Sequence, residues 1–254
     1  MINKISKIIH FLFNIEFNKN KIKKLIFILF NPRFIMGYFN LVFPLIELSS
    51  LLKSLPIIDN CIDVGSNKGQ FSMIFRKYFN NTKIYSFEPQ LNHIKTQKKF
   101  LKNTKFYNIC LGNYNGTGIL NVTDRDDSSS LLEPLINTHG IYKVNKKIKI
   151  KVKKLDDIIR LNKNKINLIK LDVQGFEYQV LLGAKNNLKN INYIIIELTA
   201  GKGYNKQVSK KKTILFLKTY NFKLKKIYNK TYNNNMWQAD FLFIKNKSFN
   251  NLEK

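Results

Sequence analysis

Arginine is nearly missing from this chain. Only Arg33, Arg76, Arg125 and Arg160 accompany a large excess of lysine, in 254 residues with a formal net charge of +28. So positive a balance ordinarily points to nucleic acid or an anionic surface. Proteins that read bases lean on arginine for two-pronged contacts, and here lysine, asparagine and isoleucine are used evenly along the whole chain. The charge therefore reads as a coding bias, and no specific nucleic-acid partner is expected. Cysteine is scarce too. Cys61 and Cys110 make neither a C-x-x-C pair nor a disulfide framework, so they read as small buried residues in a reducing, cytoplasmic setting. No metal-ligand spacing of the usual kinds occurs, and no metal is expected. There is no internal repeat.

A clean membrane span is also lacking. Residues 1–24 are basic with apolar interleaving, but His10, Asn14 and Glu16 interrupt, and no small-residue cleavage site follows. Residues 25–48 are more apolar, yet Arg33 and Glu47 carry charge, and Asn31, Pro32, Gly37, Asn40 and Pro44 break the run. The preferred reading is two or three short helices covering a core domain. The competing one is a basic amphipathic segment in peripheral contact with an anionic membrane face. The division that follows is a helical N-terminal extension over 1–55, one domain over 56–246 and a tail over 247–254.

What is present is a strand running into a glycine turn and then a helix. Residues 57–64 are largely apolar, Asp63-Val64-Gly65-Ser66-Asn67-Lys68-Gly69 forms the turn, and 70–79 puts Phe71, Ile74, Phe75 and Tyr78 on one helical face. Gly65 can take a positive φ and let a ligand approach the backbone. The spacing fails the dinucleotide fingerprint, and no lysine-serine pair makes a phosphate loop. Asp63, at the strand end, would repel a pyrophosphate but suits a cationic ligand. The next strand, 83–88, ends in Glu88-Pro89. An acid there is placed to accept hydrogen bonds from both hydroxyls of a ribose, and Pro89 holds it extended. Two acids, a glycine turn and no phosphate cradle favour S-adenosylmethionine (SAM) over a nicotinamide cofactor. The expected contacts are Asp63, Gly65, Asn67, Gly69, Gln70, Glu88 and Pro89.

Downstream, strands and helices alternate. Helix is expected over 91–101, strand over 105–110, and a turn at Asn115-Gly116-Thr117-Gly118 between two short strands. A polar loop follows over 123–130, then a half-exposed strand over 146–153 and a short helix over 155–161. A buried strand over 166–171, one helix over 176–187, a strand over 191–197 and a helix over 210–220 come next. Strands over 222–228 and 237–244 close the chain as an antiparallel hairpin. The pattern gives an α/β, doubly wound, Rossmann-like sheet.

Three stretches together resemble the FkbM-type methyltransferases: Asp63 to Phe71, Phe87-Glu88-Pro89, and Leu168-Ile169-Lys170-Leu171-Asp172-Val173-Gln174-Gly175-Phe176-Glu177. Asp126 to Leu132, Lys154-Leu155-Asp156-Asp157 and Gln238 to Phe243 fit a subset of that family. The resemblance runs in order from residue 43 to 245. It implies a class I methyltransferase sheet, SAM as cofactor, and methylation of a hydroxyl on a sugar, glycolipid or related small molecule. Methylation of nitrogen, or a non-catalytic basic module on this fold that binds membrane or RNA, stays open. A hydroxyl acceptor must lose a proton. Asp172, the first polar residue beyond the 166–171 strand, is the leading candidate base. Glu177 is the second catalytic candidate, with a helix-capping role as its plainer reading. An Asp172–Glu177 metal pair is disfavoured, and His139 reads as an ordinary loop histidine. Asp127, Ser128 and Ser129 in the polar loop, and Glu197 at the end of its strand, are expected to meet the acceptor.

Overall fold

The computed structural model describes residues 26–27, 30–31, 34–40, 42–125, 127–135, 143–233 and 236–246. The basic segment 1–24, His139, Asp126 and the tail 247–254 lie outside them. The elements described with both ends start with α1 (Ile35–Phe39), a single 3-10 turn (Ile46–Leu48) and α2 (Ser49–Lys53). Then follow β1 (Asn60–Val64), α3 (Gln70–Tyr78), β2 (Lys83–Phe87), α4 (Leu91–Gln97) and β3 (Thr104–Tyr107). A short β4 (Cys110–Leu111) leads to β5 (Gly116–Thr123) and β6 (Val144–Lys153). After β7 (Asn167–Leu171) come α5 (Glu177–Leu182), α6 (Lys185–Leu188), β8 (Tyr193–Ala200), α7 (Lys210–Thr219), β9 (Phe222–Asn233) and β10 (Met236–Lys245).

Seven strands form the main sheet in the order β3-β2-β1-β7-β8-β10-β9. Pairings from β3 across to β8 are parallel, and β10 inserts antiparallel between β8 and β9. This is the doubly wound sheet with a terminal hairpin that the sequence predicts. Its central strands are apolar on both sides because helices cover both faces. Ile62, Val64, Ile169 and Leu171 join one core with Val180, Leu181 and Leu217. Cys61, Leu168 and Ile195 join the other with Phe71, Ile74 and Phe75. Each such fully buried side chain contributes about 1.5–3 kcal/mol of transfer free energy.

The second core also holds Leu48, Leu51, Leu52 and Leu55. The stretch just ahead of β1 is thus part of the domain's own interior. The expected short helices are present there, and the packing gives no break at residue 55.

Four local expectations change. Cys110 does not end β3; it opens β4, which pairs with β6 in a separate three-stranded sheet of order β4-β6-β5. Gly116 and Gly118 are not the apex of a hairpin. They begin β5, which pairs antiparallel with β6. A Cβ at Gly118 would sit 2.9 Å from Leu131 Cδ2, so the loop packs directly on that strand. The helix expected over 176–187 breaks into α5 and α6 at Gly183. A Cβ there would fall 1.8 Å from the carbonyl oxygen of Gly112. The 155–161 helix shrinks to a 3-10 turn, Leu155–Asp157, because Asp156 caps α6 instead. Its carboxylate accepts the N–H groups of Asn186 and Asn187, both at 2.9 Å.

Candidate active site

The carboxyl edges of β1, β2, β7 and β8 open on one cleft of about 980 Å³. One wall is the turn after β1. Gly65 has φ +74, and a Cβ on it would lie 1.8 Å from the Asp172 carbonyl oxygen. Only glycine lets β1 and β7 part at that point. The turn is held from behind by buried side chains. Ser66 Oγ lies 2.7 Å from Ser86 Oγ, and Ser86 donates to Gln97 Oε1 at 2.7 Å. Gln97 Nε2 donates back to Ser66 Oγ at 2.8 Å and to the Asn67 carbonyl at 2.6 Å.

Glu88, 4% exposed, stands at the end of β2. Its Oε2 accepts the Asn67 N–H and its Oε1 the Gln90 N–H, both at 2.9 Å. Two backbone donors thus fix the carboxylate against the cleft, leaving further lone pairs for a ligand's hydroxyls. His93 Nδ1 lies 3.5 Å from Oε1.

The floor is set by sheet register. Asp63 is opposite Lys170, and Glu197 is opposite Asp240. By the two-residue period of strands these four share the sheet face that α2 and α3 cover, and Asp172 follows Lys170 on it. Lys170, 3% exposed, donates to Asp172 Oδ2 at 2.6 Å. Burial alone would lower its pKa, but the carboxylates of Asp172 and Asp63 outweigh burial and raise it. The lysine therefore stays charged. Asp63 is fully buried, and its pKa is pushed up to about 6 by that burial, against the pull of Lys170 and Ser72. Ser72 donates to its Oδ2 at 2.6 Å. Burial, then Asp172 and Asp240, hold the Glu197 carboxyl well above the usual range. Burial likewise raises Asp240, whose Oδ2 accepts from Asn229 at 2.8 Å.

Gln174 joins the floor to the loop above it. Its Nε2 donates to Asp172 Oδ1 at 2.8 Å and to Glu197 Oε2 at 3.3 Å. Its Oε1 accepts from Tyr204 at 3.0 Å, and the same tyrosine hydroxyl lies 2.9 Å from the Ser128 carbonyl. Ser130 Oγ donates to the Gln174 carbonyl at 2.8 Å.

Most of the expected residues meet here. Gly65, Asn67, Gln70, Glu88, Pro89, Asp127, Ser128, Ser129, Asp172 and Glu197 all line the cleft. Asp63, Gly69 and Glu177 do not. Asp63 lies beneath the turn, with its Oδ1 buried and unpartnered among the described residues. Gly69, at φ +92, starts α3 and packs on Gln97 and Leu101. Glu177 closes its own turn: Oε1 accepts the N–H groups of Val173 and Gly175, both at 3.1 Å. Burial pushes its pKa up to about 7. These contacts hold the Glu177 carboxyl in the turn that leads into α5. Among the described residues, no group of three or more His, Cys, Asp or Glu side chains is placed to hold a metal ion.

Sequence reasoning gave no role to Lys170, Gln174, Tyr204, Asn229 or Asp240. Lys170 had a visible signal, a lysine inside an apolar strand two residues before an acid. Asp240 becomes visible only once β10 is known to run antiparallel beside β8. Glu47, from the turn before α2, also lines the cleft.

The residues fit SAM. The sulfonium and amino group are cationic, and the lining carries six acidic side chains (Glu47, Glu88, Asp127, Asp172, Glu197, Asp240), of which burial shifts Glu197 and Asp240 toward their neutral forms, against three cations (Arg125, Lys170, Lys230). That excess stands out in a chain of net charge +28. The Gly65 turn, which lines the same cleft, agrees with it. The sheet order is that of the class I methyltransferase fold. The FkbM methyltransferase domain family matches residues 63–224, and the chain belongs to that family.

Two curated relatives align. One is "Methyltransferase 1" of Beauveria bassiana, 24% identical over 165 residues, 56% of this chain and 65% of that protein. The other is the hexuronic acid methyltransferase AglP of Haloferax volcanii, 33% identical over 69 residues, 26% of this chain and 29% of that protein. The alignments thus span less than two thirds of either relative. Among solved structures, an rRNA methylase from Streptococcus thermophilus superposes with a TM-score of 0.45 at 12% identity, covering 79% of this chain and 94% of that one.

Proposed function

We propose that this enzyme methylates a hydroxyl oxygen of a sugar or related glycan acceptor, with Asp172 as the base that takes the hydroxyl proton. The observation that carries the reading is the Asp172 carboxylate. It is 28% exposed in the cleft and is held by Lys170 on one oxygen and Gln174 on the other. An amine acceptor needs no such base in its neutral form; a hydroxyl does. Bound SAM supplies an electrophilic methyl on a sulfonium. The chain's part is to hold the acceptor in line and close, an effect that can supply about 7–11 kcal/mol.

Each side of the cleft has its part in this reading. Gly65, Asn67, Gln70, Glu88 and Pro89 take the cofactor, Glu88 on the ribose. Asp127, Ser128, Ser129 and Glu197 face the acceptor. Trp237 and Tyr232 line the far rim, surfaces on which the apolar face of a sugar ring can lie. The Haloferax relative is named for a hexuronic acid, which supports a sugar.

The test is single-turnover transfer of a labelled methyl from saturating SAM to a panel of sugars and glycans. Asp172→Asn keeps the size and removes the basic oxygen. Turnover on the best acceptor should fall about 10²–10⁴-fold, as for loss of a general base, with SAM affinity little changed. Near-normal turnover in that variant would move the base to Glu197. Transfer only to amines in the panel would overturn the oxygen reading.

A further inference from the structure

The outer side of the N-terminal layer is unlike the rest of this surface. Helix α1 turns Phe34 and Gly37 inward. Phe34 is buried, and a Cβ on Gly37 would sit 2.1 Å from Met73 Cε. At 3.6 residues per turn, Ile35, Met36 and Phe39 then fall on the opposite side within an arc of about 100°. They are 38%, 52% and 52% exposed, and Ile26 and Phe30, just ahead, are 47% and 81% exposed. Five large apolar side chains thus face water within residues 26–39.

Two lysines contact this layer. Lys77 Nζ lies 4.1 Å over the ring of Phe27, and Lys99 Nζ donates to Asn40 Oδ1 at 2.9 Å. Lys95, Lys98 and Lys102 are exposed on α4 and its exit. The sequence carries no acid between Glu16 and Glu47, and Lys19, Lys21, Lys23 and Lys24 precede the patch. Among the described residues no helix is long and apolar enough to cross a membrane.

We propose that this face docks on an anionic lipid surface. Ile26, Phe30, Ile35, Met36 and Phe39 enter the boundary between headgroups and acyl chains, and the lysines meet the headgroup phosphates. The charge argues for a lipid surface over a second copy of the chain, since two such faces would bring their lysine rims together. The proposal does not depend on which acceptor is methylated. Docking would, however, set the cleft near the bilayer, because residues 45–48 run from this layer directly into the cleft wall.

The test is co-sedimentation of the full-length chain with phosphatidylcholine vesicles, with and without phosphatidylglycerol. Two variants accompany it: Phe30→Ser/Met36→Ser/Phe39→Ser, and Lys98→Glu/Lys99→Glu. All the substituted side chains are exposed, and retained SAM binding checks the fold. Binding is expected only with phosphatidylglycerol present, weakening between about 0.05 M and about 0.5 M salt as screening shortens. The serine variant should lose at least about tenfold in partitioning, since each buried apolar side chain carries a large transfer free energy. The glutamate variant should lose roughly tenfold. No binding to anionic vesicles, equal binding to neutral ones, or full retention by the serine variant would overturn the proposal. So would light scattering that finds a dimer in the wild type and a monomer in the serine variant, for then a second copy covers the face.

Discussion

Glu177 keeps a carboxyl where water does not reach, and folding makes that group harder to ionise. Its pKa moves from an ordinary 4.5 to about 7, with burial the largest cause. The sign of the linkage follows. Between these values the folded chain holds a proton that the unfolded chain has released, so stability falls as pH rises through the window. Below about 4.5 both states are protonated and the group contributes nothing. Glu177→Gln removes the ionisation and keeps an oxygen for the N–H groups of Val173 and Gly175. Relative to wild type, the variant should gain about 1–3 kcal/mol in unfolding free energy on going from pH 5 to pH 8. Urea denaturation at the two pH values measures it. A difference that does not change with pH would place the carboxyl in water. Gly65 is a second residue with no substitute: Gly65→Ala should abolish calorimetric SAM binding, because its Cβ would overlap the Asp172 carbonyl at a φ of +74. Normal affinity in that variant would mean that the turn is not the cofactor wall.

At the scale of elements, the region from Lys154 to Leu188 is held by side chains instead of a continuous helix. Asp156 accepts from the Asn186 and Asn187 N–H groups and from Asn187 Nδ2 at 2.8 Å, and so begins α6. Asp156→Ala should cost about 1 kcal/mol of stability, in the range for a lost helix cap, and leave SAM affinity unchanged because none of these groups lines the cleft. Chemical denaturation beside calorimetry would check both parts. This break also shows where the sequence stops being legible. The strand-turn-helix at Gly65, the acid after β2 and the apolar strand before Asp172 were readable because each is a local pattern with a physical period. The division of 176–187 was not. Val180, Leu181 and Ala184 keep helical spacing across it, and what interrupts the helix is the backbone of Gly112, distant in sequence. For the same reason Cys110 changes sheets and Gly116 enters a strand without local warning. The cofactor end of the site was therefore visible in advance. The floor was visible only in part, because Asp240 and Gln174 reach it through strand register and a loop contact.

Over the whole molecule, charge is sorted. Lysines crowd the outside, including Lys223, Lys225 and Lys226 on β9, the edge strand of the main sheet, where they discourage pairing with other chains. Carboxylates collect at the carboxyl edge, around one buried lysine. A cleft rich in acidic side chains in a strongly basic protein is suited to a cationic cofactor, and in the proposed reading a glycine turn beside a strand-end acid sets how that cofactor lies. The whole account depends on Glu88 sitting at the ribose end of this cleft. Calorimetric titration of SAM into wild type and Glu88→Ala tests it most directly. Wild type should bind one SAM per chain, and the variant should bind about ten- to a hundredfold more weakly, matching the loss of hydrogen bonds to a charged acceptor. Equal affinity in the two proteins, with the variant folded, would contradict the placement of the cofactor.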